Sequence, residues 1–152
     1  MNQIAELLPA SNIRLDLPAT SKPMLFDAVG ALFASSHGLT ARTVVGSLVA
    51  REKLGSTGLG QGVAIPHGRI KGLTEARGAF LSLADPIDFD APDGKPVSLV
   101  FILLVPEHAT EKHLQLLSEL AQMFSDRGFR ERLANAPDPA TVHTLFRDWK
   151  PT

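Results

Sequence analysis

The sequence predicts a layered α/β domain, in which helices pack on a β-sheet. Helical patterns precede, separate and follow the strand candidates along the chain. The run 97–105 is apolar almost throughout, which is typical of a strand covered on both faces. The chain has 152 residues, 44% of them hydrophobic and 20% charged, which suits one globular domain with its own core. These patterns do not determine the order of the strands.

The first third of the chain predicts a strand followed by two helices. Apolar residues alternate with charged ones over 13–17, as in a strand with one buried face. A helix follows, capped by Thr20 or Ser21 and ended by Gly38. A second helix runs from its cap at Thr40 to about Lys53, where a glycine-rich segment ends it.

The rest of the chain supplies further strands and the closing helices. Short apolar runs predict three strands, at 63–65, 79–83 and 97–105. The segment 90–94 has the chemistry of a tight turn. Three helices are expected to close the chain, the first capped by Thr110 and the third by Asp138. The first of them bears an apolar set made of Leu114, Leu117, Leu120, Ala121 and Phe124.

Composition excludes several functional classes. The formal net charge is −1, which argues against a general binder of nucleic acid or membrane surfaces. Cysteine is absent, which rules out disulfides, thiolate zinc sites and cysteine nucleophiles. The chain shows neither a secretory signal nor an apolar run near the roughly 20 residues of a membrane helix. We therefore expect a cytoplasmic protein without direct membrane insertion, with one domain over residues 1–152.

A glycine-rich segment is the first candidate for a binding function. Five glycines fall within residues 55–68. Glycine lets backbone amides turn toward a small anion such as a phosphoryl group. The segment is not a nucleotide P-loop, because no Gly-Lys-Ser or Gly-Lys-Thr ends it at the required spacing. On the glycines alone, a turn-rich loop without a ligand is the better interpretation.

His67 and Arg51 are candidates for phosphoryl chemistry. His67 stands between Pro66 and Gly68, and a neutral imidazole can accept a phosphoryl group and pass it on. Its alternative is a loop histidine bonded to a carbonyl. The guanidinium of Arg51, near the end of the second helix, could bind phosphoryl oxygens or merely complement the helix dipole.

His113 is expected at the third position of the helix that follows Thr110. A helix amino terminus attracts phosphate and disfavours a protonated imidazole. The spacing of His113 to Leu117 and Leu120 puts it on or beside the buried face. The alternative interpretation is a packed histidine that seals the end of the core.

The stretch REKLGSTGLGQGVAIPHGR resembles the active-site segment of the fructose/mannitol-type IIA proteins of the bacterial phosphotransferase system. The resemblance continues through LVFILLVP and EKHLQLLSEL, and covers roughly residues 13–146. It implies a mixed sheet with helices on both faces. For phosphoryl transfer to His67 we expect no metal or cofactor to be required.

The same resemblance implies a role for each candidate. His67 corresponds to the phosphorylated histidine, His113 to the second active-site histidine, and Arg51 to the arginine that stabilises the phosphoryl group. The loop residues expected to bind the phosphoryl group are Thr57, Gly58 and Gly60. The donor in this family is the phosphohistidine form of HPr or its nitrogen-branch counterpart, and transport members pass the group to a cysteine of a IIB domain.

Within that family, the free-standing length and the lack of IIB or membrane segments favour the nitrogen-regulatory branch. Such a protein signals to regulated target proteins through its phosphorylation state. The alternative within the family is a detached IIA subunit of a sugar transporter. Two further alternatives come from other classes: a metal-dependent hydrolase with His67 and His113 as zinc ligands, and an interaction module without phosphoryl chemistry.

Overall fold

The computed structural model describes residues 2–108 and 111–151, without the side chains of Ser36 and His37. The helices in this part of the chain are α1 Gln3–Glu6, α2 Lys22–His37, α3 Ala41–Lys53, α4 Glu111–Ser125, α5 Arg127–Ala134 and α6 Pro139–Asp148, with a short 3-10 turn at Ala10–Asn12. The strands are β1 Ile13–Leu17, β2 Gly58–Gly60, β3 Val63–Ala64, β4 His67–Ile70, β5 Arg77–Ile87 and β6 Val97–Pro106.

The predicted fold class is confirmed: a mixed sheet lies between two layers of helices. The strands are ordered β1-β5-β6-β3-β2, and β4 also pairs with β6. Strand β6 is antiparallel to β5 but parallel to β3 and β4, while β1 is parallel to β5. The most apolar strand of the sequence is therefore the central one.

Strand β6 divides the core into two halves and is covered on both faces, as its almost entirely apolar character predicted. Its even-numbered residues Val100, Ile102 and Leu104 pack toward α2 and α3. The odd-numbered residues Leu99, Phe101, Leu103 and Val105 pack toward α1 and the three carboxyl-terminal helices. Both faces of the strand are thus covered, and the two half-cores are built on one backbone segment.

Local capping chemistry placed several helix starts correctly. The Ser21 hydroxyl accepts a hydrogen bond from the Met24 amide at 3.3 Å, and Asp138 accepts one from Thr141 at 2.8 Å. Thr40 caps α3 as predicted. The cap predicted at Thr110 lies outside the described residues.

Helix α4 buries a different face from the one its leucines suggested. Leu114 is 66% exposed, whereas Leu116 and Met123 are buried with Leu120 and Phe124. Position 116 lies one turn from Leu120 on the core side, while Leu114 is rotated away from that stripe. His113 shares the buried stripe, as its spacing predicted.

The pairing along β6 next to the glycine-rich segment is interrupted, so that two short strands lie where the sequence predicted one at 63–65. Val63 and Ala64 pair with β6, and the ladder resumes at His67, opposite Leu103. Between them, Pro66 lacks an N–H, and its carbonyl accepts from the Leu103 amide at 3.0 Å. His67 is therefore the first residue of a strand, held in register on the sheet.

Strands β2 and β4 were missed because their glycines and polar residues have little intrinsic strand preference. Strand β5 is also longer than the predicted 79–83, at Arg77–Ile87. In each case pairing with a neighbouring strand determines the conformation. Tertiary contacts override local propensity at these positions.

Gly68 fixes the distance between β4 and α3, which leads to a stability prediction. A Cβ added at this residue would overlap the Ser47 side chain and lie 3.3 Å from the Ser47 carbonyl carbon. We expect Gly68→Ala to lower the free energy of unfolding by about 1–3 kcal/mol, through overpacking. Urea denaturation followed by circular dichroism measures this change.

Gly46, which precedes Ser47 in α3, provides the matched control. Apart from the neighbouring residues and the backbone of its own helix, no atom lies within 4 Å of a Cβ built there. Gly46→Ala should stabilise the protein by up to about 1 kcal/mol, because alanine favours a helix interior. Equal unfolding free energies for Gly68→Ala and wild type would contradict the packing argument.

Candidate active site

Three residues predicted from the sequence meet at the start of β4. Arg51 comes from the last turn of α3, His67 is the first residue of β4, and His113 is the third residue of α4. The Nε of Arg51 lies 3.2 Å from the Nε2 of His67. The His67 and His113 rings have centroids 5.7 Å apart and planes at 79°. Two helices from opposite layers thus converge on one histidine at the sheet edge.

The partners of His67 define which ring nitrogen carries the proton. Its Nδ1 lies 2.8 Å from the carbonyl oxygen of Ile65, which can only accept a hydrogen bond. The proton of a neutral ring therefore sits on Nδ1. The Nε2 lone pair accepts from the Arg51 guanidinium. Because this acceptor is a backbone carbonyl two residues before His67, at the interruption of the ladder with β6, backbone geometry selects this tautomer.

Electrostatics favours the neutral form of His67. Burial lowers the pKa of His67 below its ordinary value, and the positive charge of Arg51 lowers it further. The hydrogen bond to Ile65 and the negative charge of Glu52 act in the opposite direction on this pKa but do not outweigh burial. A neutral imidazole with an available lone pair is the nucleophilic form.

This lowered pKa predicts how stability depends on pH. The pKa of His67 is about 6.5 in the unfolded chain and lower in the folded protein. At a pH between these two values, His67 is mostly protonated in the unfolded chain but mostly neutral in the folded protein. Stability contributed by His67 is thus present above pH 6.5 and is lost as pH falls through the folded pKa. We expect wild type to lose unfolding free energy relative to His67→Gln between pH 7.5 and 5.5. Urea denaturation at both pH values tests this; a pH-independent difference would contradict it.

The guanidinium of Arg51 is held on two sides. Besides its contact with His67, its Nη1 donates to the carbonyl of Gly55 at 2.9 Å. Gly55 follows the carboxyl terminus of α3 and has a φ of +152°, a value that glycine adopts readily. The turn after the helix therefore orients the planar guanidinium toward the histidine.

Glu52 lies close enough to the site for its charge to act on His67, and it is bound in turn by Lys22; sequence reasoning missed both residues. The buried Glu52 carboxylate accepts from the Thr57 amide at 3.1 Å, from the Thr57 hydroxyl at 2.6 Å and from Lys22 at 2.8 Å. Lys22 also lies 4.7 Å from the Phe89 ring centroid. The adjacency of Arg51 and Glu52 was visible in the sequence, but nothing there indicated the partners that α2 and the loop supply.

The predicted phosphoryl-binding loop is tightly held. The amide and hydroxyl of Thr57 are both engaged by Glu52, and the Gly58 amide donates to Ser56 Oγ at 3.0 Å. Gly58 leaves no room for a Cβ, which would approach that of Ala91 to 2.8 Å, and Gly60 has a φ of +97°. The glycines are thus required by packing and backbone conformation. A role for this loop in phosphoryl binding stays a prediction.

His113 closes the other side of the site. Only 8% of it is exposed, and its Nδ1 has no hydrogen-bond partner among the described residues. Burial lowers the pKa of His113, and the charges of His67 and Arg69 lower it further. A second neutral imidazole therefore faces the first one edge-on.

Among residues 2–108 and 111–151, no three or more His, Cys, Asp or Glu side chains are grouped so as to hold a metal ion. Within the same ranges, no helix has both the length and the apolar character needed to cross a membrane.

Fold and site together define an α/β protein whose mixed sheet presents a neutral histidine to an arginine and a second histidine. The sequence profile of the phosphoenolpyruvate-dependent sugar phosphotransferase system, EIIA 2, matches residues 6–149. The chain belongs to this family, whose members transfer phosphoryl groups. The family resemblance stated from the motif is thereby confirmed.

Individual relatives point to one branch of the family. The chain is 42% identical to the nitrogen regulatory protein of Pseudomonas aeruginosa over 149 residues, 97% of each chain. It superimposes on the crystal structure of the nitrogen regulatory protein IIA-Ntr from Neisseria meningitidis with a TM-score of 0.90 and 52% identity, covering 95% of this chain and 99% of that one. A fructose-specific EIIA component from Haloferax volcanii is 32% identical, with 97% of both chains covered.

Proposed function

We propose that this protein is a cytoplasmic phosphocarrier of the nitrogen-regulatory branch, which accepts a phosphoryl group on Nε2 of His67 from a phosphorylated HPr-type donor. One observation carries the proposal. The Nδ1–H of His67 is bound by the Ile65 carbonyl, so the lone pair on Nε2 faces the Arg51 guanidinium. IIA domains of this system interact with HPr-type donors and with IIB domains.

The proposed transfer is an in-line displacement. The Nε2 lone pair of His67 attacks the phosphorus of the donor phosphohistidine, and the P–N bond of the donor breaks with its electron pair returning to the donor nitrogen. The proton on Nδ1 of His67 stays where it is, hydrogen-bonded to Ile65. The transfer therefore needs neither a metal ion nor a general base among the residues of this site.

Arg51 and His113 stabilise the group in transit. The Arg51 Nε–H, 3.2 Å from the lone pair before transfer, moves its hydrogen bond from the ring nitrogen to a phosphoryl oxygen. His113, whose ring lies 5.7 Å from that of His67, provides a second donor. Such donors act at a partly buried site, where electrostatic stabilisation is strong.

Signalling follows from the charge that the modification adds. A phosphorylated side chain carries roughly −1.5 to −2 charges near pH 7. Leu54, Leu59 and Leu114 are exposed apolar side chains, each within three residues along the chain of Arg51, Thr57 or His113. A partner that docks on apolar side chains next to the site would therefore meet a new anion after phosphorylation. The names of the Pseudomonas and Neisseria relatives support the regulatory assignment.

The second candidate is a detached IIA subunit of a sugar transporter. It is favoured by the fructose-specific relative, which matches the chain over nearly its whole length. In that function the phosphoryl group of His67 passes on to a cysteine of a IIB domain.

Reconstitution tests both functions. The protein is incubated with phosphoenolpyruvate, enzyme I and either HPr or a nitrogen-branch HPr-like donor, and the phosphorylated residue is mapped by mass spectrometry. We expect an acid-labile phosphate on His67, with faster transfer from the nitrogen-branch donor and no onward transfer to a fructose or mannitol IIB domain. Phosphate on another residue would overturn the site assignment, and rapid transfer to IIB would establish the transporter function.

A further inference from the structure

A chain of hydrogen bonds leads from the carboxylate of Glu52 to the ring of His67. The carboxylate accepts from both donors of Thr57, from the hydroxyl at 2.6 Å and from the amide at 3.1 Å. The carbonyl of Thr57 accepts from the amide of Ile65 at 3.0 Å. The carbonyl of Ile65 is in turn the acceptor for Nδ1 of His67, at 2.8 Å. The acceptor that selects the tautomer of His67 is therefore tied to Glu52 through two residues.

The Glu52 side chain is suited to be the fixed end of this chain. It extends from the last turn of α3, and it is only 8% exposed. A carboxylate in such a place needs a partner of opposite charge, because burying an unpaired charge is costly. Lys22, at the start of α2, provides that charge at 2.8 Å. Two helices thus fix the carboxylate to which Thr57 is bound.

Ile65 lies where the pairing with β6 is interrupted, so its position depends on the loop before β2. Strand β3 pairs with β6, and the pairing resumes at His67. Between them, the Ile65 amide donates to the Thr57 carbonyl rather than to β6. A displacement of Thr57 would therefore also displace the carbonyl that binds the His67 ring.

The contact at Nδ1 becomes more important for the ring of His67 during the proposed transfer. In the resting protein, Arg51 holds the opposite nitrogen, Nε2. When Arg51 turns its hydrogen bond to a phosphoryl oxygen, the orientation of the ring depends on the Ile65 carbonyl. A reacting atom that is misplaced by about 1 Å can lower a rate by on the order of 10²-fold.

We propose that Glu52 and Lys22 are positioning residues for phosphoryl transfer. Glu52, neutralised by Lys22, holds Thr57. Thr57 holds Ile65, whose carbonyl keeps the Nδ1–H of His67 in place, so that Nε2 faces the incoming phosphorus. Both residues act through this chain and not on the phosphoryl group itself. The inference rests on the proposed function of His67.

Hydrogen exchange, followed by nuclear magnetic resonance on the unphosphorylated protein, tests the chain without any donor. In Glu52→Gln, we expect the Ile65 amide and the Nδ1–H of His67 to exchange with water about tenfold to a hundredfold faster, as for loss of a charge-assisted hydrogen bond. The amide of Leu103, bonded to the Pro66 carbonyl, is the internal reference. Its exchange should not change, whereas a general loss of stability would speed all three.

Kinetics gives a second readout, measured in single turnovers at increasing donor concentration. We expect Glu52→Gln to slow transfer at saturating donor by about tenfold to a hundredfold, because the acceptor nitrogen is less well oriented. The donor concentration that gives half of the maximal rate should not change. Asp90→Asn is the matched control: Asp90 also lies 3.6 Å from Lys22, but its side chain is 82% exposed. This variant should match wild type in both exchange and transfer.

Two further variants separate the hydrogen-bond chain from the charge of Glu52. Thr57→Val removes one of the two donors to the carboxylate without changing any charge, and should speed exchange at Ile65 in the same direction by a smaller factor. It also decides the question if Glu52→Gln does not fold. Lys22→Met leaves the carboxylate without its cation and should likewise speed exchange at Ile65.

The positioning role and the proposed function fail separately. Folded Glu52→Gln and Thr57→Val proteins in which Ile65 exchanges as in wild type, relative to Leu103, would overturn the positioning role even if His67 is phosphorylated. Transfer to His67 at the wild-type rate in Glu52→Gln would overturn it as well. Faster exchange in these variants, combined with a wild-type protein that is never phosphorylated on His67, would confirm the hold on the ring and overturn the proposed function.

Discussion

His67→Gln is expected to reduce phosphorylation by an HPr-type donor to the background level. Glutamine has a polar side chain that fits near the Ile65 carbonyl, but its amide nitrogen has no nucleophilic lone pair at neutral pH. Transfer is measured as acid-labile phosphate on the protein after incubation with phosphoenolpyruvate, enzyme I and donor. The effect is the largest we predict, because the variant removes the atom that forms the new P–N bond.

Two other histidines serve as controls for this experiment. His143→Gln, on α6 and away from the cluster, should be phosphorylated at the wild-type rate. His113→Gln should slow transfer while leaving the phosphate on His67, since it removes a stabilising donor and not the acceptor. Phosphorylation of His67→Gln at a rate comparable to wild type would mean that another residue is the acceptor.

Arg51→Gln is expected to slow phosphoryl transfer to His67 by on the order of 10²–10³-fold. The substitution removes the guanidinium that lies 3.2 Å from Nε2 and that would bind the oxygens of the group in transit. Removing one well-positioned donor from an oxyanion site has effects of this size. Single-turnover kinetics with a phosphorylated donor in excess measures the rate of the transfer step.

The same substitution should also change the titration of His67. Because the charge of Arg51 lowers the pKa of His67, Arg51→Gln should raise that pKa. Glu52→Gln is the matched variant of opposite sign: the Glu52 charge raises the pKa of His67, so its removal should lower it. Imidazole resonances followed against pH give both values. Shifts of the same sign in the two variants would contradict the electrostatic account.

The two variants also separate charge from positioning. Glu52 holds both donors of Thr57, so Glu52→Gln should loosen the loop before β2 as well as alter the charge near His67. Arg51→Gln leaves those contacts intact. If Arg51→Gln slows phosphoryl transfer while the resonances of the loop before β2 are unchanged, the slower rate is due to loss of the guanidinium and not to a displaced loop.

Much of the fold could be predicted from local patterns. Three kinds of pattern depend on residues close together in the chain: the alternation over 13–17, the caps at Ser21, Thr40 and Asp138, and the nearly continuous apolar run of β6. These patterns reflect interactions within a short segment, so they can be recognised without knowing which elements pack against that segment. The strands β2 and β4 left no such signal, because glycine and polar residues form strands there only through pairing with β3 and β6.

The candidate site, like the fold, could be predicted only in part from the sequence. The motif around His67, the placement of His113 at the start of a helix and the family resemblance identified the residues that meet in space. Nothing in the spacing indicated that Glu52 would accept three hydrogen bonds from Lys22 and Thr57. Those partners lie on different elements, and their contacts exist only once α2, α3 and the loop have packed.

By itself, the amino-acid sequence determined the layered α/β class, the helix caps and the choice of His67, His113 and Arg51 as candidate site residues. Each of these depends only on residue type and on spacing over a short stretch of chain. Only the tertiary structure decided that His67 begins a strand, that its proton sits on Nδ1 and that hydrogen bonds link its ring to Glu52. Strand pairing, the direction of a carbonyl and a chain of hydrogen bonds between elements all depend on distances between residues far apart in the chain, which sequence order does not specify.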